Sequence, residues 1–235
     1  MPAENMLEGL DPYELMDTEA TRIDRFVSTL GPAQQDAPSA CEGWTVKDVV
    51  GHLAASEEYN HACLDDALPA FLESLGKRGA TDMDSFNAIG VAERAGRTSD
   101  ELLAEWRETC GRTTRELRAR DGGEIPTMVG PYPARWQAFH LASELATHAD
   151  DVGVPVTDAE AAGRADWRRR FAVFVLSEMK PEVGVTPVEG GTKVRAGDDE
   201  AVLSDDELIA VTNGRLAADD PLPGGLRSAL NVVGS

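Results

Sequence analysis

Apolar residues recur at helical spacing in four stretches of the chain. Ile23, Phe26, Val27 and Leu30 share one face of a helix predicted from Pro12 to Leu30, where Gly31-Pro32 stops it. Thr45 is placed to cap a second helix, whose stripe of Val46, Val49, Val50 and Leu53 extends toward or past Leu64. In a third helix, with Ser99 as its expected cap, Leu103, Trp106, Cys110, Thr113 and Leu117 alternate steps of three and four up to the Asp121-Gly122-Gly123 breaker. A fourth should begin after Pro133 and run to about Val152, closed by Gly153 and Pro155. Residues 76–97, scattered with Gly, Asp, Ser and Asn, read as a long irregular connection of the kind that often shapes a binding site. Together these elements predict a four-helix bundle.

Beyond Pro155 the pattern changes. One more helix is predicted from about Asp158 to Met179. Short β-type runs follow at Val183–Val188 and Thr192–Ala196, with Gly190-Gly191 as the hairpin turn between them. Residues 201–212 are ambiguous: Ser204-Asp205-Asp206-Glu207 looks like a helix start, whereas Leu208 to Val211 would suit a strand. The expected fold class is therefore α+β, a bundle over residues 1–154 followed by a small α+β domain over residues 155–235.

Composition narrows the classes of partner. The 235 residues are 42% apolar, enough for a packed core. With 42 acidic residues against 22 basic ones the formal charge is −20, which repels phosphate backbones and anionic lipid headgroups, so neither nucleic acid nor membrane is an expected partner. Met1 to Leu15 shows no basic stretch followed by an apolar one, and no window is apolar enough to span a bilayer, so a cytoplasmic location is expected. Cys41, Cys63 and Cys110 are odd in number and form no C-x-x-C pair, which fits a reducing compartment rather than a disulfide framework.

The four histidines, at 52, 61, 140 and 148, carry the candidate chemistry. Glu144 and His148 are four apart on the fourth helix, and that spacing brings their side chains to one face, close enough to share an ion. A surface ion pair is the alternative. His52 lies at the edge of its helix's apolar stripe, where a groove between helices would open, so an ion could sit at the seam between the two helices; a satisfied, partly buried histidine is the other reading. His61 is about half a turn away from His52 and cannot share its ion, and His140 lies about 12 Å along the axis from His148, which favours a pocket-lining or core role. Two imidazoles and one carboxylate form a set that catalytic zinc uses with one coordination position open, to a thiol or to water.

The segment Cys41 to Leu53, Cys-Glu-Gly-Trp-Thr-Val-Lys-Asp-Val-Val-Gly-His-Leu, resembles the N-terminal signature of the maleylpyruvate isomerase family of mycothiol-dependent enzymes, whose bundle is related to DinB-type proteins. Glu144, His148 and Asp151, followed by Val152-Gly153, resemble its second signature, and the likeness extends over roughly residues 12–153, including Ser85-Phe86-Asn87 and the helix after it. The resemblance implies a divalent metal, zinc above all, on His52, Glu144 and His148, with mycothiol as the thiol cosubstrate and a small electrophile as substrate. Cis-trans isomerisation and S-transfer both follow from such a thiolate. The alternatives are a non-catalytic metal- or ligand-binding protein and a metal-dependent hydrolase. Asn213-Gly214-Arg215 is similar to a Gly-Arg near the end of the family's second domain, which makes Arg215 a candidate for gripping a carboxylate; a plain surface turn is the other reading. Asp151, on the face of Glu144 and His148, is a candidate to orient a ligand histidine or position the thiol, or else a surface aspartate. Trp44 is expected to pack the loop against the bundle, and Cys41 to be a small buried residue rather than a nucleophile.

Overall fold

The structure, a computed structural model, describes residues 3–232; residues 1–2 and 233–235, the extreme ends of the two expected domains, lie outside the described residues. The chain forms two compact units, one of Asp11–Pro155 and one of Val156–Ser235 together with Met1–Leu10. The expected first domain began at residue 1. The N-terminal segment, a 3-10 turn over Ala3–Leu7, instead packs on the C-terminal unit: Arg170 donates to the carbonyls of Met6 and Glu8, and Met6 lies against that unit's core.

The larger unit is a helical bundle. Its principal helices are α1 (Pro12–Val27), α3 (Val46–Leu64), α6 (Ser99–Ala119) and α7 (Ala134–Asp151), with a short α2 (Pro32–Gln35) between the first two. Contacts run chiefly between α1 and α7 and between α3 and α6. Asp11 caps α1 through bonds from the Tyr13 and Glu14 amides. The expected Thr45 cap closes a reciprocal box with Asp48 at the start of α3. At α6 the cap is Thr98, boxed with Glu101, one residue before the expected Ser99. The predicted inner face of α6 is buried throughout: Leu103, Trp106, Cys110, Thr113 and Leu117 are all at most 5% exposed. Side chains of this size contribute on the order of 1.5–3 kcal/mol each when fully buried.

Residues 76–97 are not an irregular loop. They complete α4 (Leu68–Arg78) and form α5 (Met83–Arg94). Gly79, at φ 94°, ends α4, and Asp82 boxes with Ser85 to begin α5, so the same polar residues that suggested a loop punctuate two helices. Gly90 lets α5 approach α3, because a Cβ there would lie 2.5 Å from that of Ala55. A hairpin absent from the sequence reading, β1 (Glu124–Thr127) and β2 (Gly130–Pro133), precedes α7 in antiparallel register from Glu124↔Pro133 to Thr127↔Gly130.

In the smaller unit α8 (Asp158–Met179) leads into an antiparallel sheet of β3 (Gly184–Val188), β4 (Gly191–Ala196) and β5 (Asp199–Leu203), then α9 (Asp205–Thr212) and α10 (Gly224–Leu230). The ambiguous stretch divides at Ser204: its hydroxyl caps α9 in a box with Glu207, and the strand lies before it. Leu176, Val194, Leu208, Leu226 and Leu230 are fully buried in this unit's core. Among the described residues no helix is long and apolar enough to cross a membrane. The fold is α+β, with a helical bundle in its N-terminal part and small antiparallel sheets.

Candidate metal centre

The site lies in the larger unit, where α3 and α7 present their side chains to each other. The capped start of α3 fixes the phase of His52, which is 5% exposed. On α7, Glu144 and His148 are one turn apart, and buried alanines at 134, 138, 142, 146 and 149 keep the rest of that helix thin against its neighbours. One donor atom from each of His52, Glu144 and His148 lies within 4.8 Å of the others. His52 Nε2 is 3.4 Å from Glu144 Oε1, and the two imidazole rings meet edge to face with centroids 4.8 Å apart. The Glu144 side chain keeps 34% of its surface exposed, so the cluster is less enclosed at Glu144 than at either histidine. Partial withdrawal from water pushes that carboxyl up, but the bond from His52 and the charges of His52 and His148 outweigh it and leave it below the ordinary carboxylate value.

A second layer fixes His148. Its Nδ1 lies 2.9 Å from Asp151 Oδ2, and Asp151 is 5% exposed, so the ring is held along its Nδ1 edge. Asp151 therefore contacts the histidine rather than serving as a surface residue. The same Oδ2 accepts the Cys41 thiol at 3.0 Å, and Cys41 Sγ lies 3.8 Å from His148 Nδ1. The loop carrying Cys41 is tied down by its backbone, with the Ala40 amide donating to the Asp151 carbonyl at 2.9 Å. Trp44 packs as expected, its ring 5.0 Å from that of His52. Cys41 is buried, but its thiol belongs to this layer, a link no spacing rule could show because 110 residues separate it from Asp151.

His61 and His140 belong to neither group of converging donors among the described residues. His61 faces the Thr109 carbonyl at 3.1 Å. His140 is half-buried and bonds the Tyr132 hydroxyl at 3.0 Å, through a hairpin the sequence reading lacked. Arg215 belongs to the smaller unit, exposed after α9, with its guanidinium 3.3 Å from the Asn213 carbonyl. Sequence reasoning also passed over Glu57, one turn and a residue beyond His52. It is 6% exposed and accepts from Asn60 at 3.2 Å and from Thr113, in a cleft that Glu144, Trp106 and Cys110 also line. Burial pushes its carboxyl up to about 7; the bonds from Thr113 and Asn60 oppose the rise and the Glu144 charge adds to it.

A helical bundle with two imidazoles and one carboxylate converging between two of its helices defines a class of candidate metal-binding proteins. Residues 16–153 match the family of the mycothiol maleylpyruvate isomerase N-terminal domain, and the chain belongs to that family. The fold is similar to the crystal structure of a mycothiol-dependent maleylpyruvate isomerase, with TM-score 0.64 and 19% identity over 93% of this chain and 91% of that one. A mutant of that isomerase is similar at TM-score 0.62, again with 19% identity, covering 92% of this chain and 90% of that one. An uncharacterized protein of Mycobacterium tuberculosis, matched from two strains, is 27% identical over 171 residues, or 69% of this chain. The match spans 66%, just under two thirds, of that relative's own length.

Proposed function

We propose that this protein is a metal-dependent enzyme that presents the thiolate of mycothiol to an electrophilic small molecule. The observation that carries the proposal is the convergence of His52, Glu144 and His148 within 4.8 Å, backed by Asp151 on His148. The donor set suits zinc, which takes two imidazoles and a carboxylate and leaves a position open. A cation held there supplies a bound thiol with the means to lose its proton near neutral pH. His52 and His148 contribute neutral nitrogen donors, and Glu144 contributes the negative charge. Asp151 sets the tautomer of His148 by accepting from Nδ1. The reducing compartment that such a thiol needs agrees with Cys41, Cys63 and Cys110 being buried thiols outside any disulfide, and we place the reaction in the cytoplasm.

Reversible addition of the thiolate would isomerise a double bond, and retention would give a conjugate. Both outcomes use the same residues, so the class is mycothiol-dependent isomerase or S-transferase. Arg215 is the proposed anchor for an anionic substrate, as a guanidinium can grip a carboxylate through two bonds. The test is His52→Ala: metal content of the purified protein and mycothiol-dependent turnover should fall together. Full turnover without bound metal refutes the proposal. Turnover that ignores mycothiol identifies a hydrolase, and metal binding with no turnover against a panel of electrophiles identifies a binding protein.

A further inference from the structure

His148 belongs to two groups of donors, of which the site described above is one. Cys41 Sγ, His148 Nδ1 and Asp151 Oδ2 form the other, all three residues buried, with separations of 2.9 Å (N to O), 3.0 Å (S to O) and 3.8 Å (S to N). A tetrahedral ion at about 2.3 Å from sulfur and about 2.0 Å from nitrogen and oxygen sets its donors roughly 3.3–3.5 Å apart. The observed separations bracket that range, so shifts of about half an ångström seat an ion.

We propose that Cys41, His148 and Asp151 form a second cation position, selective for thiophilic ions such as Cd2+ or excess Zn2+, and that it competes with the first for His148. Selectivity follows from the donors. The His52 and Glu144 side offers nitrogen and oxygen alone, whereas the Cys41 side offers sulfur, which favours soft ions. Competition follows from the ring. A neutral imidazole has one lone pair, on Nε2 when Nδ1 carries the proton to Asp151 and on Nδ1 when the proton sits on Nε2. Binding on the Cys41 side releases the thiol proton to solvent and takes the Nδ1 lone pair, so the ring proton sits on Nε2 and His148 has no second lone pair for an ion shared with His52 and Glu144. A soft ion thus withdraws His148 from the first site without touching His52 or Glu144. The inference uses the geometry of the Cys41 edge and stands whether or not the first position is catalytic.

Cd2+ added to the metal-free full chain is the probe, followed by its near-ultraviolet sulfur-to-metal absorption. The expected result is a band in the wild type that is lost in Cys41→Ser, weakened in Asp151→Asn and retained in His52→Ala. Serine is nearly isosteric with cysteine and keeps a donor for Asp151, and far-ultraviolet dichroism checks each fold. On the unaltered chain, 113Cd resonance should report one sulfur ligand with nitrogen or oxygen co-ligands, so the outcome does not depend on any variant folding. Cadmium bound with no sulfur ligand overturns the proposal, as does a band that survives Cys41→Ser and therefore arises from Cys63 or Cys110. Loss of the band in His52→Ala also overturns it, because Cys41 would then only join the first sphere. Failure of the catalytic reading has a different signature: turnover and metal content that His52→Ala leaves unchanged.

Discussion

Replacing Glu57 by Gln should stabilise the metal-free protein increasingly as pH rises from about 4.5 to 7, and leave it little changed below that range. Glu57 is 6% exposed, shares its cleft with the Glu144 carboxylate, and has its carboxyl raised from an ordinary 4.5 to about 7, chiefly by burial. Below about pH 4.5 both folded and unfolded chains hold the proton, and the group is neutral to stability. As pH rises from there, the unfolded chain releases it first, so stability is lost progressively until the folded group ionises near pH 7 and the loss is complete. At about 1.4 kcal/mol for each tenfold change in proton affinity, the rise corresponds to a loss on the order of 3 kcal/mol. Gln has the same shape and keeps an oxygen for Thr113 and Asn60, but it cannot ionise. The assay is urea unfolding of chelator-treated protein from pH 4.5 to 8, followed by the summed fluorescence of the four tryptophans, among them Trp106 in the same cleft. The quantity to read is the difference between variant and parent, in which carboxylates common to both cancel. A difference that grows toward high pH by about 2–4 kcal/mol is expected. Parallel curves would mean that Glu57 binds its proton no more tightly in the folded chain than in the unfolded one, and that burial does not govern it. Adding a divalent cation should move the transition to lower pH, since the Glu144 charge contributes to the rise.

Three further outcomes are expected. Asp151→Asn should weaken metal binding by about 10- to 100-fold while leaving the first three ligands in place, measured by competition with a chromophoric chelator; unchanged affinity would show that the bond to His148 has no orienting role. Gly90→Ala should cost about 1–3 kcal/mol in urea unfolding, because its Cβ would sit 2.5 Å from that of Ala55 and α5 must back away from α3. Thr45→Ala should cost about 1 kcal/mol by removing the side-chain half of the box that begins α3, with Thr45→Ser restoring it.

Where the chain announces an element by local chemistry, the sequence was legible. Thr45 with Asp48, Pro133 before α7, and Ser204 with Glu207 mark helix starts that depend on residues within one turn. The stretch 76–97 misled because Gly79, Asp82 and Ser85 belong equally to loops and to helix boundaries, and only packing of α5 on α3 decides between them. The β1–β2 hairpin was hidden by Pro126, Pro131 and Pro133, which argue against a central strand but are tolerated in a two-stranded pair, where both strands are edges. At the site, helical spacing showed that Glu144 and His148 could share a partner and that His52 lay at the edge of its stripe, whereas the metal and the thiol came only from the resemblance. The Cys41 thiol on Asp151 and the burial of Glu57 have no local signature, since each arises from elements that meet only in the folded chain.

The hydrogen bond from the Ala40 amide to the Asp151 carbonyl fastens the Cys41 loop to the last turn of α7. The same helix turn therefore holds the thiol twice, through the Asp151 carbonyl on the loop backbone and through the Asp151 carboxylate on Cys41 itself. Fraying of that one turn would separate Cys41 from Asp151 and His148 together, so deuterium exchange at the Ala40 amide reads the integrity of the whole Cys41 edge.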